Sequence, residues 1–373
     1  MATQVIQINP DDSRAARLAA AKADRALKKG RLVAFATETV YGIAALASDA
    51  GAMERLRDLK SRPKRPFSVH VADPGDVGRY VRDVPPAARR LIDKSWPGPI
   101  TLILPTGGRL GDAKLQRAGL YEVLTYEGRI GLRCPDAPVA RLMLSGAGGV
   151  VVAPSANLSG RRSPRTASQV LKSLDGRIDL LLDTGPTRLG IDSTIVRFDG
   201  DQWRVLRKGA YDTGAIRRML ARTYLFVCTG NTCRSPMAVG LLRKLLARKR
   251  GCSVGDLEKL GVRITSAGAF AADGARASPE AVRAARKRGV DISRHRSRKL
   301  TLQLIRDADV VLCLSGYHVS EARRLAPSAA ERIRLLDEHG DIADPIGGGP
   351  DVYGRTAERI EKALKAYLAK DKA

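Results

Sequence analysis

At 373 residues the chain exceeds the size at which a single hydrophobic core usually stops growing, so two domains are expected. A composition of 44% hydrophobic and 28% charged residues excludes a disordered chain, no apolar run reaches the roughly 18 residues of a membrane span, and the opening MATQVIQINPDDSR has no signal-peptide core, so a cytoplasmic protein with no membrane partner is expected. The net charge of +26 invites a polyanionic partner such as RNA; the clusters RPKRP, RKR and RHRSRK carry no interleaved aromatics on which bases could stack, so a solvated basic surface competes with that reading.

Short β-rich runs alternate with helical patterns throughout, which predicts an α/β fold. In the first half strands are expected at 31–37, 67–72, 100–105, 130–134, 149–154, 179–183, 193–198 and 203–207, with helices near 12–29, 50–60, 86–94 and 164–174. A Gly-punctuated turn and a short basic helix follow, placing a linker at 213–221 between a first domain, 1–212, and a second, 222–373. The second domain continues as strand YLFVC, helix PMAVGLLRKLLARKR, strand VRITSAG, helix SPEAVRAARKRG, strand DVVLCLS, helix, strand RIRLLD and a long amphipathic helix, a doubly wound parallel pattern. Five cysteines, Cys134, Cys228, Cys233, Cys252 and Cys313, are odd in number and scattered, which argues for free thiols; the four histidines and the lack of C-x-x-C or H-x-x-x-H spacing argue against zinc, and no metal ligands are assigned.

The stretch VCTGNTCRSPMA, 227–238, sets Cys228 at a strand end, Gly230 and Asn231 in a loop, and Ser235 at the start of a helix. Backbone N–H groups and the helix dipole then converge on one point, which suits a phosphate. The same field, with Arg234 beside it, is expected to hold the Cys228 thiol below its usual value of about 8.5 and make it a nucleophile, while the Arg234 fork can grip two phosphoryl oxygens. DIADPIGGGPDVYG supplies Asp344 as the acid a leaving group would need.

With DISRHRSRKL at 291–300, these segments resemble the low-molecular-weight protein tyrosine phosphatase family over roughly 222–370. The resemblance implies Cys228 as nucleophile, Arg234 as phosphate clamp and Asp344 as general acid and then base. It also implies Asn231 as loop former, Ser235 as thiolate donor, and Cys233 as a partner able to form a reversible disulfide with Cys228. Thr232 stands where tyrosine-directed members usually carry an aliphatic residue, and the loop looks like that of the protein-arginine phosphatase branch. Phosphoarginine is therefore favoured over phosphotyrosine in a phosphoprotein substrate.

In the first half, FATETVYGIAALASD, LKSRPKRPFSVHVAD, APSANLSGRRSP, GIDSTIV and VLRKGA gather hydroxyls and cations near strand ends, with neither a P-loop nor a Rossmann glycine pattern. Lys60, Arg62 and Arg207 could neutralise a triphosphate, with Ser155, Asn157 and Ser163 as neutral contacts. Together with WPGPITLIL and GLRCPDAP, in this order over about 10–212, they resemble the YrdC-like threonylcarbamoyl-AMP synthase family. That resemblance implies condensation of L-threonine, bicarbonate and ATP, with Mg²⁺ on the phosphates, into threonylcarbamoyl-adenylate and pyrophosphate. It further implies a role in tRNA threonylcarbamoyladenosine formation, with tRNA or tRNA-modification proteins as partners. Lys60, Arg62, Ser155 and Asn157 match the family's ATP tetrad, Ser163 and Arg207 further nucleotide contacts, and Thr37 or Thr39, His70, Arg133 and Ser193 the threonine side. Ala36 replaces an expected proline, Phe67 an expected leucine, and the loop after Arg62 looks one residue short. The leading expectation is a bifunctional enzyme; an active phosphatase joined to a degenerate RNA- or nucleotide-binding module is the alternative.

Overall fold

The computed structural model describes residues 2–61 and 65–371. The chain divides into two compact units, Met1–Met219 and Leu220–Ala373. A helix, Thr213–Leu220, occupies most of the stretch read as a linker.

The first unit is built on an 11-stranded mixed sheet. Across it run Gln4–Gln7, Leu180–Asp183, Val33–Ala36, Tyr41–Leu46, Val151–Val152, Val69–His70, Arg129–Arg133, Ile100–Pro105, Thr194–Asp199 and Gln202–Arg207, with Thr125–Tyr126 paired to Arg129–Arg133. Tyr41–Leu46 is antiparallel to Val33–Ala36, and all six of its residues are buried. That strand escaped the sequence reading because YGIAAL is poor in the β-branched residues that mark a strand. Helix Ser13–Leu27, capped by Asp12 accepting from the N–H groups of Arg14 and Ala15, buries Ala16, Ala19, Ala20 and Ala23. This alanine face shares a core with Val139, Ala140 and Met143 of helix Pro138–Gly146.

The second unit has a four-stranded sheet in the order Val262–Gly268, Arg222–Cys228, Val310–Cys313, Ile333–Leu335, with every pairing parallel. Strand Arg222–Cys228 is buried on both faces. Its Tyr224, Phe226 and Cys228 pack into one core with Met237, Leu241, Ile360 and Leu364, while Leu225 and Val227 join another with Ile305, Ala322 and Ile333. The alternation of side chains along a strand thus dictates helices on both faces, as expected of a doubly wound sheet. The central strand lies between its sequence successors, so the crevice beyond its carboxyl end is a topological switch point, and Cys228 sits there.

Gly268, at the end of the neighbouring strand, allows the loop after Cys228 to close: a Cβ there would lie 2.4 Å from Thr229 O and 2.9 Å from Asn231 N. Gly268→Ala is expected to lower the unfolding free energy of this unit by about 1–3 kcal/mol through overpacking, read as a lower urea midpoint with an unchanged slope. An unchanged midpoint would show that the loop yields without cost.

Candidate active sites

In the first unit, Thr37, Glu38 and Thr39 link two antiparallel strands, and Arg133 ends the strand Arg129–Arg133. Arg133 Nη2 donates to Glu38 Oε1 at 2.9 Å, to Thr39 Oγ1 at 2.7 Å and to Thr37 Oγ1 at 3.4 Å. Arg133 is only 5% exposed and Glu38 3%, and Arg133 Nε is buried with no hydrogen-bond partner among the described residues. His70 pairs in register with Arg133; burial, and then the Arg133 charge, push its imidazole down to about 3, so it is neutral at ordinary pH. The Thr37 and Thr39 hydroxyls lie 2.8 Å apart, completing a polar cluster of four expected residues.

Arg207 Nε and Nη2 donate to Ser193 O at 3.1 and 2.9 Å, and Nη2 also reaches Ser193 Oγ at 3.0 Å. Burial lowers the Arg207 pKa; Asp192 opposes this and the like charge of Arg133 adds to it. The sequence reading put Arg207 with the nucleotide and Ser193 with threonine, and the fold bonds the two directly. Lys60 Nζ, at the end of helix Ala50–Lys60, donates to Ser155 O at 3.0 Å, Asn157 O at 2.7 Å and Asn157 Oδ1 at 3.0 Å. Ser155 Oγ reaches Asn157 Oδ1 at 2.6 Å, and Ser163 Oγ donates to Asp192 Oδ1 at 2.9 Å. Arg62 lies outside the described residues.

In the second unit, the loop from Cys228 to Ser235 turns at Asn231, whose φ is 55°. Gly230 does not carry the left-handed turn; the asparagine does, fixed on all sides. Its Nδ2 donates to Ser235 Oγ at 2.8 Å and Ser266 Oγ at 2.9 Å, its Oδ1 accepts from Arg298 N at 3.0 Å, and its carbonyl lies 2.7 Å from His295 Nε2. Asn231 N donates to Cys228 Sγ at 3.3 Å, and Ser235 Oγ lies 2.9 Å from the same sulfur. Arg234 is buried at the start of helix Arg234–Arg250; it donates to Ile342 O at 3.1 Å, to Thr229 Oγ1 at 3.0 Å and to Asp344, with Nε left without a partner among the described residues. Thr232 lies in the loop, its carbonyl accepting from Ser278 N at 3.0 Å. Cys233 Sγ lies 3.3 Å from Ser278 Oγ and 3.4 Å from Tyr353 OH, partners other than Cys228.

The expectation of a lowered Cys228 pKa is not met. Burial pushes the thiol up, against the opposing effects of Ser235, Arg234 and the Asn231 N–H. The physical reason is burial: the sulfur is enclosed by the fold, and this outweighs the lowering effects of the groups around it.

The family profile Sua5/YciO/YrdC, described as "Telomere recombination", matches residues 25–209, and the low molecular weight phosphotyrosine protein phosphatase profile matches 223–373. A putative threonylcarbamoyl-AMP synthase of Mycobacterium tuberculosis is 36% identical over 52% of this chain and 86% of its own length. A protein-arginine-phosphatase of Bacillus subtilis is 36% identical over 39% of this chain and 93% of its own. The chain belongs to both families, one in each unit. The threonylcarbamoyl-AMP synthase of B. subtilis is 35% identical over 59% of this chain, which spans only 62% of that relative's length.

Within the synthase-family unit, sequence reasoning passed over Glu38, the carboxylate that holds Arg133; it was in plain sight in TETVYG, between the two threonines that were chosen. Within the phosphatase-family unit it passed over His318, whose Nε2 lies 3.0 Å from Thr229 Oγ1 and whose Nδ1 lies 2.7 Å from Ser315 Oγ. Burial, with Arg234 adding, pushes His318 down to about 4. No local spacing marks that residue.

Because Asp344 occupies Arg234 and Ser235 supports the sulfur, the two should move the thiol in opposite directions. In the pH profile of iodoacetamide alkylation at Cys228, Asp344→Asn is expected to shift the midpoint to lower pH by releasing the guanidinium, and Ser235→Ala to higher pH. Coincident profiles would show that neither group governs the thiol.

Proposed function

We propose that the chain is a cytoplasmic bifunctional enzyme: a threonylcarbamoyl-AMP synthase in its first unit and a cysteine-dependent phosphoprotein phosphatase in its second. The observation that supports it is that each unit holds a buried arginine among residues expected at its site: Arg133 with Thr37 and Thr39 in the first, and Arg234 with Asp344 in the second. In the first unit, the L-threonine carboxylate would take the unsatisfied Arg133 Nε, with the Thr37 and Thr39 hydroxyls beside it. The threonine nitrogen attacks the carbon of bicarbonate and water leaves; a carbamate oxygen then attacks the α-phosphorus of ATP and pyrophosphate departs with the electrons of the broken P–O bond. Lys60, fixed by Ser155 and Asn157, balances charge on the phosphates together with Arg62, and Ser163 and Arg207 are the further nucleotide contacts. Mg²⁺ is expected to arrive with the ATP phosphates. The product serves tRNA threonylcarbamoyladenosine formation, with tRNA or tRNA-modification proteins as partners.

In the second unit, phosphate entry draws Arg234 from Asp344 onto the phosphoryl oxygens, which lowers the Cys228 pKa; the thiol proton passes to the freed Asp344 carboxylate, which then delivers it to the leaving group. Cys228 sulfur attacks phosphorus and the bond to the substrate nitrogen or oxygen breaks. Water, deprotonated by Asp344, then displaces the cysteine and yields inorganic phosphate. Phosphoarginine is favoured over phosphotyrosine because the Thr232 hydroxyl suits a guanidinium better than a flat apolar ring.

Pyrophosphate release by the full chain is expected to require L-threonine, bicarbonate and ATP together, and to fall by about two orders of magnitude in Lys60→Ala, with phosphatase activity unchanged. No release, in a preparation that still hydrolyses a phosphatase substrate, would leave the first unit a binding module. Thr232→Ile is expected to move the kcat/KM ratio roughly tenfold from phosphoarginine towards phosphotyrosine; an unchanged ratio rejects that role for Thr232.

A further inference from the structure

The segment 291–300 does more than hold Asn231. With helix Arg234–Arg250 and strand Val262–Gly268 it lines a cavity of about 640 Å³ that also borders Ser266, His295 and Arg298, which bond Asn231. The volume falls within the roughly 300–1,000 Å³ usual for small-molecule sites. Arg243, Lys244, Arg294, Arg296 and Arg298 line it, against a single acidic residue, Asp291, which pairs at 3.7 Å with Arg286. Among the described residues none of these five cations has a carboxylate within ion-pair distance. Their bonds go to carbonyls: Arg243 to Ile264 O at 3.0 Å, Lys244 to Arg288 O at 2.6 Å, Arg296 to His295 O at 2.8 Å and Arg298 to Ser266 O at 2.8 Å.

Five positive charges around one concavity repel one another and are stabilised by an anion with several charges. Val239, Ile264, Val290 and Ile292 give the same cavity an apolar wall, which an inorganic ion would leave unused. We propose that this cavity binds a phosphorylated organic molecule of nucleotide size, its phosphates on the arginines and its organic part against the valine and isoleucine wall. A concave site with an apolar wall favours such a ligand over the extended backbone of a nucleic acid, which a flat basic stripe would suit better. His295 and Arg298 line the cavity and also hold Asn231, whose N–H touches Cys228 Sγ, so occupancy bears on the catalytic loop. That consequence rests on the phosphatase reading; the binding itself does not.

The test is photoaffinity labelling of the full chain with 8-azido-ATP and mapping of the labelled peptides. Label is expected in 236–244 or 289–298, displaced by ATP, and reduced roughly tenfold or more when the exposed Arg294 and Arg296 are both changed to Glu. Alkylation of Cys228 in that variant, unaltered from the parent, would confirm that its catalytic loop is folded. Label confined to the first unit or to 228–235 would overturn the proposal, as would label insensitive to the double substitution. Displacement by pyrophosphate as effective as by ATP would reduce the cavity to an inorganic anion site. Displacement by bulk tRNA at lower concentration than ATP would assign it to nucleic acid; either outcome refutes the organic phosphate.

Discussion

Each unit depends on a guanidinium buried beside one carboxylate and left one hydrogen bond short. Arg133 is held by Glu38 and two threonine hydroxyls, Arg234 by Asp344, Thr229 and a carbonyl, and in both Nε finds no partner among the described residues. Removing an ion pair from water is costly, and a buried donor left unsatisfied adds to that cost. Arg129 and Arg222 also have an Nε without a partner among the described residues, but their side chains are 24% and 28% exposed, against 6% for Arg133 and Arg234. The buried arrangement is well suited to an anionic ligand, which meets a donor already desolvated and oriented.

The two pairs differ in how firmly the carboxylate is committed. Glu38 is buried, and its second oxygen accepts from Asp136 N at 3.1 Å, so it stays in place and Arg133 is fixed in one direction. Asp344 is partly exposed, in a loop ahead of helix Pro350–Lys370, and its grip on Arg234 competes with any phosphoryl group arriving at the loop. The first arrangement suits recognition of a carboxylate that remains unchanged through the reaction. The second suits chemistry in which the acid must be released at the moment the substrate binds.

What could be read in the sequence was whatever local order carries. The Cys228 loop and the parallel strands announce themselves because strand, turn and helix signals lie beside one another; the Lys60, Ser155 and Asn157 set was legible as a set through the family resemblance. The Cys228 ionisation was misread because its first determinant, enclosure of the sulfur by the fold, is not local. Glu38 was overlooked because a carboxylate between two threonines has no meaning until Arg133 arrives from another strand. Asn231 was expected as loop former, but the network from Ser266, His295 and Arg298 that holds it in the left-handed region comes from distant segments and has no local signal. Tyr41–Leu46, an alanine- and glycine-containing run, becomes a strand through its buried neighbours rather than through propensity.

The most direct measurement is ¹⁵N NMR of the arginine Nε groups of the full chain, assigned with Arg133→Lys and Arg234→Lys. L-threonine is expected to shift the Arg133 Nε resonance and leave Arg234 in place, and inorganic phosphate to shift the Arg234 Nε resonance and leave Arg133 in place. If neither resonance responds to its ligand at saturation, the buried, unsatisfied donors are not anion sites, and the account of both units is wrong.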